Sequence, residues 1–145
     1  LDQLLKPPRD GADALAGRAL SIRHVLRLDG FGGFVTGVIF AFVLPRFGSA
    51  IPFSDETFLG LALVGFAYAC CSFVASRLEP TSAWQWLRIM VVANLAYCIG
   101  ISTFVACVIS AMHPLAVVYF ALEVLAILSL VALEIWTLRR SARAP

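Results

Sequence analysis

Glu123 is the residue whose chemistry most needs a reason. It stands in an otherwise apolar run from Pro114 to Leu128. On a helix rising 1.5 Å per residue it lies roughly 13 Å beyond Pro114. An acidic side chain that deep in a bilayer costs on the order of 3 kcal/mol on insertion scales, so it must be protonated, paired or turned toward water. No basic residue falls at comparable depth, which argues against a buried ion pair. Depth alone puts Tyr97, Ser102 and Thr103 beside it. That set of groups suits a proton- or cation-coupled site, and it equally suits a polar clamp between helices or a contact to a partner subunit. The clamp is the expectation from the residue types.

Asn94 is the second intramembrane polar group, with Thr36 and Cys70 at similar depth. A hydrogen-bonded layer across the helices follows, each bond contributing about 0.6 kcal/mol, and packing specificity is its expected role. Asp29 and Glu134 sit nearer the charged ends of their segments. Asp29 reads as a first-turn acid at a helix N-terminus, where the dipole favours negative charge. Pairing of Asp29 with Arg23 or Arg88, and of Glu134 with Arg88 or Arg27, is expected at a hydrated interface.

Other chemistries find little footing. Cys70, Cys71, Cys98 and Cys107 form no CxxC pair. Adjacent residues on a helix point about 100° apart, so Cys70 and Cys71 suit neither a disulfide nor a metal, and all four cysteines read as small core residues. His24 and His113 fall on opposite sides of the membrane and cannot share a metal or a haem. No phosphate loop, catalytic triad or metal cluster stands out, so the expectation is a non-enzyme without cofactors and without nucleic-acid partners.

The elements that must position these groups are apolar helices. The chain has 145 residues, 61% hydrophobic and only 14% charged, against about 25% charged in soluble domains. Four apolar runs, expected as helices over 29–48, 55–77, 83–110 and 114–138, each reach the roughly 20 residues a bilayer requires. Gly33 and Gly37 form a GxxxG, Gly65 and Ala69 a second small-residue face, and Ala96 and Gly100 a third. Ser54 is the expected N-cap of the second helix, with Asp55 and Glu56 in its first turn and a Phe53–Phe58 hydrophobic staple. Ser82 and Gln85 read as a capping box for the third, and Pro114 opens the fourth. Trp84, Trp86 and Trp136 stand at interface depth. Short connections favour an antiparallel, up-down-up-down bundle.

Upstream, residues 1–28 form an N-terminal segment. Leu15, Ala19, Ile22 and Leu26 recur at helical spacing, with Arg18, Arg23 and Arg27 off that face. This predicts either an amphipathic helix on the membrane surface or a plain extension of the first span. The apolar stretches there are too short and too broken by charge for a secretory signal. Residues 139–145 form a basic tail.

Three stretches also look familiar on this frame: Arg27-Leu28-Asp29 before a glycine-bearing run, Ala93-Asn94-Leu95-Ala96-Tyr97, and a fourth helix that starts at a proline and ends at Glu134 followed by arginines. Over about residues 23–140 the chain resembles a widespread group of small bacterial four-helix integral membrane proteins with no established activity. A Trp often stands in that group where this chain has Tyr97, and a Gln where it has Glu123. The resemblance implies the fold and a bacterial inner membrane, and no chemistry.

Two functions are compatible with these residues. The first is a structural or accessory subunit of a larger membrane complex, for example a respiratory or photosynthetic assembly, with lipids and other subunits (or a second copy) as partners. The alternative is a small oligomeric proton- or cation-coupled transporter or channel using Glu123. Orientation follows from charge. Ten of the 11 basic residues fall with the two termini and the second connection, leaving Arg46 alone on the other side, so the positive-inside rule puts both ends in the cytoplasm. Accessibility mapping of tags at the two termini should therefore find both shielded in sealed, right-side-out cells. Termini in different compartments would contradict an even number of spans.

Overall fold

A computed structural model of the chain describes the backbone of residues 9–47 and 50–143, and side chains within 22–47, 50–79 and 82–140. Four helices make up the fold: α1 (Arg9–Val38), α2 (Asp55–Ala75), α3 (Pro80–Val108) and α4 (Pro114–Arg143). The described residues contain no strand. Spans long and apolar enough to cross a membrane run over Ile22–Phe47, Asp55–Ala75, Ser82–Ala111 and Pro114–Arg140. At 1.5 Å per residue even the shortest covers the hydrocarbon core of about 30 Å. The outward faces carry side chains that only lipid would accept in such density, among them Phe31, Val92, Ile99, Leu115 and Leu122. The protein is a four-helix bundle embedded in a membrane.

Helix ends follow local chemistry. Ser54 Oγ accepts the Thr57 N–H at 3.2 Å and so caps α2, and the Phe53 and Phe58 rings lie 5.5 Å apart as the staple requires. The capping box expected at Ser82 and Gln85 does not form. Glu79 is the N-cap of α3 and Pro80 its first residue, because the fixed φ of proline suits the first turn and its missing N–H costs nothing there. At α4 the His113 imidazole accepts the Leu115 N–H at 3.3 Å. The His113 N–H donates to the Ala50 carbonyl at 2.9 Å, which ties the two connections at this end of the bundle together.

α1 differs most from expectation. It is one unbroken helix from Arg9, so of the two expectations the extension of the first span holds, no separate surface helix stands among the described residues, and Asp29 lies mid-helix rather than in a first turn. Ile22, Val25 and Leu26 do not rest on lipid; they are buried against Ala75, Ala83, Leu87 and Met90. The side chains of Leu15, Arg18 and Ala19 lie outside the described residues, as do residues 1–8. At its far end α1 widens into a π turn over Ile39–Val43 and then tightens into a 3-10 turn over Leu44–Phe47. Pro45 explains the change, since its ring would clash with the carbonyl four residues back in a regular α-helix.

α1 packs mainly on α2, and α3 mainly on α4. The small-residue faces of the first two helices turn out to be one contact. A Cβ on Gly65 would lie 2.8 Å from Gly37 N and 3.0 Å from Gly33 O, and one on Gly33 would lie 3.1 Å from Gly65 O. Ala96 and Gly100 make no such contact; both are exposed, and a Cβ on Gly100 would meet open space. The end of the bundle with the short connections is closed by a plug of Phe40, Phe53, Phe58 and Phe120, with Phe53 and Phe120 rings 5.6 Å apart. The end carrying the termini is closed by the cluster around Leu26 and Leu87. The polar groups lie between.

Gly65→Leu should force α1 and α2 apart and cost about 1–3 kcal/mol, the usual penalty of overpacking. Gly60→Leu, where a Cβ meets nothing within 4 Å, should leave thermal stability in detergent unchanged. Equal stability losses in the two variants would contradict the α1–α2 contact.

Candidate functional site

Each helix contributes one polar side chain to a single buried cluster. Ser72 on α2 donates its hydroxyl to Asp29 Oδ2 on α1 at 2.5 Å. Asn94 on α3 donates its side-chain N–H to Asp29 Oδ1 at 3.0 Å. The same nitrogen points at both carboxyl oxygens of Glu134 on α4, at 3.4 and 3.5 Å. Asp29 is 1% exposed and Glu134 is fully buried. Tyr68 of α2, beside this cluster, donates to the Met90 carbonyl of α3 at 2.9 Å. Thr137, three residues beyond Glu134, is buried with its hydroxyl unpartnered.

The charge pairs expected at the interface are absent. Neither Asp29 nor Glu134 meets Arg23, Arg27 or Arg88 among the described residues. Arg88 is exposed and stacks over the Trp84 ring at 4.9 Å. Arg23 reaches the Leu78 carbonyl at 3.4 Å, and Arg140 lies over the Trp136 ring at 5.3 Å. Arg88 and Arg140 turn outward because a guanidinium on a lipid-facing helix end gains more from headgroups, water and an indole face than from burial, whereas Arg23 is half-buried with its Nε unpartnered. The Asn94 layer exists, with different members. Cys70 faces outward, and Thr36 borders the same space without a hydrogen bond to Asn94. Matching depth is not enough; a residue must also sit on the inward face of its helix. Among the cysteines Cys98 alone is buried, and Cys70, Cys71 and Cys107 look outward, so only one of the four fits a core role.

A second acidic group lies deeper, toward the aromatic plug. Tyr97 Oη donates to Glu123 Oε1 at 3.0 Å. Tyr119, one turn earlier on α4, stands beside the same carboxyl. Glu123 is 9% exposed, and its Oε2 has no hydrogen-bond partner. Of the neighbours expected from depth, Tyr97 is in place and the other two are not. Ser102 is exposed and borders a separate groove between α3 and α4. Thr103 returns its hydroxyl to the Ile99 carbonyl of its own helix at 2.8 Å.

One cavity of 430 Å³ touches both groups. Asp29, Asn94 and Tyr68 border it toward the termini, and Tyr97, Tyr119 and Glu123 toward the plug. The cavity opens between α1 and α4, where Phe31, Gly32, Leu122 and Ala126 are exposed. No basic side chain borders it. Among the described residues, no group of three or more His, Cys, Asp or Glu side chains could hold a metal ion. The arrangement of carboxyl, amide and phenol groups is compatible both with a structural polar layer and with an ion-coupled pathway.

Sequence reasoning missed that Asp29 and Glu134 converge. The available signal was that both share the inward face with Asn94 rather than with any arginine. No family model, curated protein or solved structure matches this chain. The comparisons thus support no family assignment for it.

Asn94→Ala should cost about 1–3 kcal/mol, the price of leaving buried acceptors without a donor. Ser102→Ala should change stability by less than about 0.5 kcal/mol, as at ordinary exposed sites. Thermal unfolding in detergent reads both, and a silent Asn94→Ala would contradict the cluster.

Proposed function

We propose that the chain is a small proton- or cation-coupled transporter or channel, working through Glu123 and the Asp29–Asn94–Glu134 group. One observation carries this reading: three buried carboxyls on two spans, Asp29 on α1 with Glu123 and Glu134 on α4, border or adjoin one cavity, and none has a basic counter-charge among the described residues. A purely structural clamp would be cheaper with amides or hydroxyls. Replacing a buried ion pair by apolar groups is often neutral or favourable, and an uncompensated buried acid is costlier than either. Ionisable groups kept inside a membrane at such cost typically mark ion or proton pathways.

The path runs from the termini end through Asp29, Asn94 and Glu134, then across the cavity to Tyr97 and Glu123. The two apolar clusters at the bundle's ends act as barriers that must part or wet for passage. With the basic residues on the side of the termini, the Asp29–Glu134 group faces the cytoplasm and Glu123 the opposite side, in the inner membrane of a bacterium.

The accessory-subunit reading keeps one specific feature in its favour. Ala96 and Gly100 give α3 a close-approach face that none of the described residues covers, and such faces commonly seat another helix. A second copy of this chain there would satisfy both readings.

The test is reconstitution in liposomes loaded with a pH-sensitive dye, with a potassium diffusion potential as the driving force. Wild-type protein should dissipate the imposed gradient, and Glu123→Gln, which keeps the shape and an acceptor for Tyr97, should fall to the rate of empty vesicles. Flux unchanged by Glu123→Gln would end the proposal.

A further inference from the structure

The cavity has features that ion passage alone does not require. A path for protons needs a file of polar groups, and 430 Å³ of space is more than such a file takes. It falls instead in the range of about 300–1,000 Å³ usual for small-molecule sites. Its walls are apolar side chains such as Val35, Ile39 and Leu130, joined by Tyr68, Tyr97 and Tyr119. Its charged groups are all acidic. Its mouth lies between α1 and α4 on the flank that faces lipid, not at either end of the bundle. Gly32 stands at that mouth with nothing within 4 Å of where a Cβ would be. Inside, Glu123 offers an oxygen that no side chain or backbone group satisfies, on a residue more than nine-tenths buried.

We infer that this cavity is a binding site for a lipophilic organic cation that enters sideways from the membrane, its charge seated against Glu123 and its apolar body against the tyrosine-lined wall. The inference rests on the transport reading and names the substrate class for it. Each part of the site selects for one part of such a ligand. A carboxyl without a counter-charge in a low-dielectric setting attracts a cation strongly. Aromatic faces add cation–π attraction. Apolar walls reward a hydrophobic body at roughly 25 cal/mol per Å² removed from water. The lipid-side mouth admits molecules that already partition into the bilayer. An anion of the same shape meets two acids, Asp29 and Glu123, and no base. A neutral lipid tail would leave the Glu123 oxygen as unsatisfied as before.

Tetraphenylphosphonium and tetraphenylborate provide the test, because they share size and shape and differ in the sign of charge. Each is titrated into the purified full-length protein in detergent, with binding followed by calorimetry. Wild type should bind the phosphonium saturably and the borate not at all. Glu123→Gln should weaken the phosphonium at least about tenfold, as expected on removing one partner of a buried charge contact. Gly32→Leu, placed in open space where folding tolerates it, should weaken it as well by filling the mouth. Equal binding of the two probes, or phosphonium binding indifferent to both substitutions, would overturn the inference. Dye-loaded vesicles of the same wild-type preparation separate the two proposals. Ion flux without phosphonium binding removes the substrate class and leaves the transport reading. Phosphonium binding without flux removes the transport reading and leaves the site.

Discussion

The side-chain amide of Asn94 faces two carboxyls from two other helices, and the arrangement of the bundle depends on how that encounter is resolved. Hydrocarbon offers no solvent for Asp29 or Glu134, so each must find its donors inside the protein. Ser72 and Asn94 supply them. To do so, α1, α2, α3 and α4 must all turn one chosen face inward at the same depth. Lipid-facing apolar surface cannot impose that choice, because a leucine gains nothing by leaving lipid for another leucine. The polar layer therefore sets the rotation of each helix, and the glycine contact between α1 and α2 sets how closely the first pair can approach. At Gly33 and Gly65 any larger side chain would meet the backbone of the other helix and push the two apart, while at Gly37 it would meet the Phe66 ring; Ser72 could then no longer reach Asp29.

With rotation fixed, the remaining layers follow. Aromatic rings fill the end with the short connections, where Phe53 is gripped by Phe58, Phe104 and Phe120. Smaller aliphatic side chains fill the other end. Between them the two helix pairs meet loosely, and the space left over is the cavity. Its polar rim is what remains of the same layer, extended by Tyr97 and Glu123. Structure and proposed function thus share one cause: the groups that orient the helices are also those through which a proton or cation would pass.

Much of this was legible in the residues. The four spans, the Ser54 cap with its phenylalanine staple, the GxxxG of Gly33 and Gly37, and the pairing of Glu123 with Tyr97 all depend on local pattern or on depth, which one sequence displays well. Errors arose where the azimuth of a helix mattered. Ser102 has the right depth to meet Glu123 and the wrong face. Arg88 has the right depth to meet Glu134 and turns to Trp84 instead. Asp29 and Gly30 looked like a helix start because acid and glycine commonly mark one; α1 passes straight through them, since no proline interrupts it between Arg9 and Leu44. Rotation is set by tertiary contacts, and a single sequence carries no direct record of them.

The central claim is that Asp29, Asn94 and Glu134 act as one unit across three helices. A double-mutant cycle on unfolding free energy, with Asp29→Asn, Glu134→Gln and the combination, measures this directly. Two acids sharing one donor should be non-additive by at least about 0.5 kcal/mol, as for residues in one hydrogen-bond network. Additivity within about 0.3 kcal/mol, the behaviour of independent sites, would contradict the network on which the account rests.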